Sequence, residues 1–161
     1  MHDDDKYMAE AITEAAKGLA EGEVPIGAVA VKDGKIIARG HNRRNQMKDI
    51  TRHAEIECLN DLSKNLPNGF DLSGITLYST LEPCAMCSGA MIHYGIEHVV
   101  YGEKDVINGA SGSKYDFLQQ AGISVKFGVM REGCRDILLK FFEQQLGEKT
   151  YIWEDIELPV T

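Results

Sequence analysis

Two short stretches hold the residue types best suited to chemistry: Thr51-Arg52-His53-Ala54-Glu55 and Glu82-Pro83-Cys84-Ala85-Met86-Cys87. One imidazole and two thiolates are ligands for zinc, and three protein ligands leave the fourth tetrahedral position open to water. Zinc lowers the pKa of such a water, so that hydroxide is available near neutral pH. His53, Cys84 and Cys87 are therefore the candidate metal ligands. Glu55 is not needed as a ligand and is the candidate to move a proton from that water to a leaving group. A closed, structural zinc module would need a fourth ligand. His41, His93, Cys58 and Cys134 are available, none at ligand spacing from the others. A thiol redox pair at Cys84 and Cys87 would leave His53 and Glu55 unexplained.

The elements that must position these residues follow from pattern. Cys84 and Cys87 share one face of a helix beginning near Pro83, whose missing N–H costs little at a helix start. A helix N-terminus also favours thiolates. This helix runs to about His93, with Gly95 as its stop. A second helix, from His53 to about Lys64, turns Ile56, Leu59 and Leu62 to the core, with Cys58 as a buried apolar residue. Upstream, helical periodicity covers residues 5–21, and Asp33-Gly34 is a hairpin turn between strands at 26–32 and 35–40. Strands at 75–79, 98–101 and 123–127 are separated by helices, which implies parallel pairing. Helices at 114–120 and 132–145 complete the series. The fold class expected is α/β: one domain, a three-layer α/β/α sandwich on a mixed sheet of about five strands. Residues 146–161 form its tail.

Several residues carry two readings. Gly27 either lets a ligand approach the backbone or merely starts a strand. Asn42 ends a strand just before the His53 helix, where its amide either binds substrate or serves a turn. Arg43, Arg44, Lys48 and Arg52 are a solvated loop or a phosphate contact. The 103–113 loop walls the site or connects two elements. The tail, with the chain's one tryptophan, Trp153, and the acids Glu154 and Asp155, is a docked segment or a lid.

Composition bounds the partners. A hydrophobic share of 43% and a charged share of 26% are those of a soluble globular protein. No apolar run reaches the ~18 residues of a membrane helix, and the acidic N-terminus lacks a secretory signal. Four cysteines, two of them assigned to metal, suit a reducing cytoplasm better than a disulfide framework. The net charge of -8 disfavours broad nonspecific binding to nucleic acid.

His-x-Glu followed by Pro-Cys-x-x-Cys is the signature of zinc nucleobase deaminases. With Val24-Pro25-Ile26-Gly27-Ala28, Gly40-His41-Asn42 and the segment Thr80 to Gly95, the chain resembles the cytidine-deaminase-like superfamily over nearly its whole length. The resemblance implies that family's fold, one Zn2+ per subunit and hydrolytic loss of ammonia from a base. It implies His53, Cys84 and Cys87 as ligands, Glu55 as proton shuttle and a homodimer sharing helices near the metal. Met86, Met91 and Ile92 are the residues that would pack on the partner. Asn42 becomes a substrate contact, with Ile26 and Ala54 as further candidates.

Two members compete for the substrate. Fungal cytosine deaminase resembles the chain in Tyr94-Gly95-Ile96, Gly112-Ser113-Lys114-Tyr115 and the tail Trp153-Glu154-Asp155-Ile156. Bacterial tRNA adenosine deaminase resembles it in Leu81-Glu82-Pro83-Cys84, Gly89-Ala90-Met91-Ile92-His93 and Gly109-Ala110-Ser111-Gly112-Ser113. The fungal enzyme has Gly where Ala54 stands, and the tRNA enzyme tends to end in a basic helix. Guanine deaminase is a third relative. The acidic charge and tail favour a small free base, cytosine, with Trp153 closing the site and Asp155 accepting from the exocyclic amine. The alternative is adenosine at the tRNA wobble position, for which the basic cluster speaks.

Overall fold

The computed structural model describes residues 3–66 and 72–146. In chain order they form α1 (Asp3–Ala20), β1 (Gly27–Lys32), β2 (Lys35–His41), α2 (Arg44–Met47), α3 (Ala54–Asn65) and β3 (Thr76–Leu81). There follow α4 (Ala85–Tyr94), β4 (His98–Glu103), α5 (Phe117–Gln120), β5 (Ser124–Phe127) and α6 (Arg131–Leu146). The five strands make one mixed sheet in the order β2-β1-β3-β4-β5. The β1–β2 and β1–β3 pairs are antiparallel, and β3–β4 and β4–β5 are parallel, as the intervening helices require. The hairpin turn has φ of 52° at Asp33 and 74° at Gly34, the left-handed pair that matches strand twist.

Strand alternation divides the core between two faces. Ala28, Ala30, Leu77 and Val99 point to the side of α3, α4 and α5, where Leu59, Leu62, Cys87 and Met91 meet them. Val29, Val31, Tyr78 and Val100 point to the side of α1 and α6. The expected α/β/α sandwich is what forms.

Of its two readings Gly27 takes the strand start, and two local expectations are corrected. Gly27 faces α1 and not a ligand: a Cβ there would lie 1.9 Å from Ala11 O and 2.5 Å from Ala15 N, so its smallness lets the helix seat on the strand. Arg44–Met47 is a short helix where a loop was expected, because buried Glu23 accepts hydrogen bonds from the backbone N–H groups of Asn45 (2.8 Å) and Gln46 (2.9 Å). The helix expected over 114–120 is confined to Phe117–Gln120. Residues Lys114 and Tyr115 instead donate their N–H groups to Gly109 O, at 2.9 and 3.0 Å, closing a turn.

Candidate metal centre and substrate cleft

The three candidate ligands converge because two helices begin at the same point. His53 is the N-cap of α3 and Cys84 the N-cap of α4, both with extended backbone. Cys87 lies in the first turn of α4. Two helix N-termini therefore aim their positive ends at the thiols. Pro83 precedes the cap, and its carbonyl accepts the N–H of Ala110 at 2.8 Å.

His53 Nδ1 lies 3.5 Å from Cys84 Sγ and 3.5 Å from Cys87 Sγ. A tetrahedral zinc with Zn–S of about 2.3 Å and Zn–N of about 2.0 Å sets an N···S separation of roughly 3.5 Å. The donor set thus fits zinc in both chemistry and spacing. Among the described residues no fourth His, Cys, Asp or Glu joins this group, so the site has the open position of a catalytic centre. Cys58 and Cys134 are fully buried elsewhere, and burial pushes the Cys134 thiol up to about 12. His41 is engaged by Glu21, Nε2 to Oε2 at 3.0 Å, and is structural.

The Cys87 thiol keeps its proton in a hydrogen bond with Cys84. Cys84 is held down to about 4, foremost by its hydrogen bond with Cys87, while the same bond and burial push Cys87 well above the usual thiol range. Binding both as thiolates releases that proton. Glu55, one residue into α3, is buried, and desolvation, aided by the Cys84 thiolate, pushes its carboxyl up to about 7. A carboxyl near 7 can both take and give a proton at neutral pH.

A cleft of about 440 Å³ opens over the metal centre, with His53, Cys84 and Met86 on its floor and Arg44, Asn108, Lys114 and Tyr115 among its walls. The loop after β4 forms one wall. Asp105 accepts the N–H groups of Ile107 (3.1 Å) and Asn108 (3.0 Å), and an isolated bridge joins Gly109 to Cys84. What pins this loop is Glu82, a residue without an assigned part in the sequence reading. Its buried carboxylate accepts from the N–H groups of Ser111 (3.0 Å), Ser113 (3.2 Å) and Asp105 (3.3 Å), and from the Ser113 hydroxyl. A Cβ at Gly109 would lie 2.2 Å from Glu82 Oε2, so glycine is required there. Its place directly before Pro83-Cys84 is a signal in the sequence; that the acid faces a loop more than twenty residues on is not.

Asn42, Ile26 and Ala54 are not among the residues that line the cleft. Asn42 is buried, its Nδ2 donating to Val24 O (3.3 Å) and its Oδ1 accepting from Arg44 N–H (3.1 Å). Ile26 and Ala54 are buried in the same core cluster as Cys87. Trp153 and Asp155 lie outside the described residues.

Comparison with known proteins agrees with this chemistry. Residues 1–103 match the cytidine and deoxycytidylate deaminase zinc-binding region. The chain is 43% identical over 153 residues to a tRNA-specific adenosine deaminase of Bacillus subtilis, covering 92% of this chain and 94% of that one. A structure solved in a study of A-to-I editing by tRNA:A34 deaminases at the wobble position superposes with a TM-score of 0.76 at 37% identity, covering 82% of this chain and 98% of the other. A guanine deaminase of Nitrosomonas europaea, at 24% identity and a TM-score of 0.73 over 85% of this chain and 83% of that one, shares the fold.

Proposed function

The chain belongs to the cytidine and deoxycytidylate deaminase zinc-binding family, and on that premise we propose that this zinc-dependent nucleobase deaminase acts on tRNA, converting adenosine at the anticodon wobble position to inosine. One observation carries the choice of a polymer over a free base. The cleft is lined by the cations Arg44 and Lys114 and by the apolar side chain of Ile50, 69% accessible. Phosphates are met by such cations, and extruded bases by such apolar surface. Full-length likeness to tRNA-specific relatives supports the same choice over cytosine, which charge and tail composition favour.

The reaction adds water to the base carbon bearing the amine and expels ammonia. Zinc at the triad supplies the Lewis acidity that brings a water's pKa near neutrality. Glu55 takes the proton from the attacking water and gives it to the departing nitrogen, so one carboxyl serves both halves of the exchange. Its burial excludes bulk water from that transfer. Asn42, Ile26 and Ala54 are candidates for substrate contact. The reading also has the protein as a homodimer, joined over Met86 and Ile92 of α4. These are 36% and 39% exposed, whereas Met91, expected beside them, is turned into the core. It places the protein in the cytoplasm, where thiolates stay reduced. Among the described residues, no helix is long and apolar enough to cross a membrane.

The test offers zinc-loaded protein an anticodon stem-loop bearing the wobble adenosine, cytosine, cytidine and guanine, and measures ammonia release. Turnover of the stem-loop, unaffected by deleting residues 150–161, is expected. Turnover of cytosine alone, lost on that deletion, restores the free-base reading.

A further inference from the structure

A second hollow of about 460 Å³ adjoins the zinc cleft, and among their lining residues Lys114 and Tyr115 border both. We infer that this second hollow is a subsite for the nucleotide next to the target adenosine, its base stacking on Tyr115; the inference rests on the polynucleotide reading. A strand with one base in the zinc cleft must place a neighbour nearby, and the two residues that border both hollows are an aromatic and a cation.

Tyr115 has the properties of a stacking platform. The residue is 41% exposed and its ring is backed by Phe117, with centroids 5.0 Å apart and planes 20° from parallel. Lys114 Nζ lies 5.5 Å from the Tyr115 centroid, a cation placed for the phosphate that joins the two nucleotides. The platform is fixed in advance. Tyr115 N–H donates to Gly109 O, Tyr115 O accepts from Gly112 N–H at 2.9 Å, and Ser113 is tied to Glu82. The backbone that carries the ring then does not have to order on binding. Asp116, which caps α5 without a side-chain hydrogen bond to it, borders the hollow and offers an acceptor to a base carrying an exocyclic amine.

The experiment compares wild type, Tyr115→Ala and Tyr115→Phe on three stem-loops: intact, abasic at the 5′ neighbour of the adenosine, and abasic at its 3′ neighbour. On the intact RNA, Tyr115→Ala loses about tenfold or more in kcat/KM, while Tyr115→Phe stays within about twofold of wild type. On one of the abasic RNAs wild type falls to a similar level, and Tyr115→Ala adds less than about threefold to the loss. Zinc content and circular dichroism of the variants match wild type. Equal losses on all three RNAs place the ring against the adenosine or in the fold and overturn the subsite. So does a Tyr115→Ala protein that becomes monomeric by light scattering, since a second copy would then cover the hollow. Wild type that deaminates cytosine but leaves the intact stem-loop untouched removes the polynucleotide reading itself, and the inference falls with it.

Discussion

Replacing Glu82 by Gln tests whether one buried carboxylate holds the cleft wall. Oε2 accepts two backbone N–H groups, from Ser111 and Ser113; Oε1 accepts the Asp105 N–H and the Ser113 hydroxyl. A carboxamide has one oxygen. Its better orientation puts that oxygen toward Ser111 and Ser113 and the NH₂ group toward Asp105. The Ser113 hydroxyl can turn round to accept, but the Asp105 N–H cannot. One buried donor is then orphaned, at about 1–3 kcal/mol, and two charge-assisted bonds become neutral, at about 1 kcal/mol each. Relief from burying a charge offsets part of this, leaving a loss of about 2–4 kcal/mol. For a chain of this length that lowers Tm by about 5–15 °C. The ligands are untouched, so zinc content stays at one per chain, while KM for the stem-loop rises because Asn108, Lys114 and Tyr115 ride on the loosened loop. Glu82→Ala orphans every donor and falls further. Thermal melting, metal analysis and steady-state kinetics read the three effects. A Glu82→Gln protein melting within about 2 °C of wild type refutes the reasoning, because its orphaned donor must then have found water or a partner.

Glu55→Gln keeps fold and zinc but loses about 10²–10⁴-fold in turnover, read as ammonia release; activity within a few-fold of wild type removes the shuttle role. Cys84→Ser binds less than one zinc per chain by elemental analysis, and a chelator lowers the Tm of wild type but not of this variant. Gly27→Ala costs about 1–3 kcal/mol or more in denaturant unfolding, because its Cβ meets α1 backbone and not a flexible side chain. Arg44→Gln and Lys114→Gln each reduce the salt dependence of stem-loop binding by about one unit of slope, leaving kcat little changed.

The metal centre was legible because its logic is local. His-x-Glu and Pro-Cys-x-x-Cys each fall within a helix turn, and α3 and α4 start close to where apolar periodicity and Pro83 put them. The β1–β2 hairpin and the parallel pairing of β3, β4 and β5 followed from connection lengths, a tight turn and helical crossovers; the antiparallel β1–β3 pair that joins them did not. What was not legible is the buried polar framework. Glu23 pins α2 across 22 residues, and Glu82 pins the 111–113 turn across 29 and 31. Sequence periodicity reports apolar faces; it gives no partner for an acid that is buried because backbone N–H groups surround it. Gly27 shows the converse, since a glycine at a strand start reads the same whether a ligand or a helix presses on it.

Net charge is a weak guide to the substrate for a related reason. The net value of -8 sums the whole chain, while a polyanion docking at the cleft feels chiefly charges within a Debye length, about 8 Å at physiological salt. Three of the acids, Asp3, Asp4 and Asp5, open α1, which packs on the sheet face opposite α3 and α4. Asp4 is already paired there with Lys126, at 2.6 Å. Glu103 is buried and paired with Arg131 at 3.0 Å, whereas Glu23, Glu82 and Asp105 are buried close to the cleft wall, where backbone N–H groups meet their charge. Arg44 and Lys114 line the cleft itself. An acidic protein can therefore present a cationic mouth to RNA, and the sign of the local field, not the sum, decides the partner.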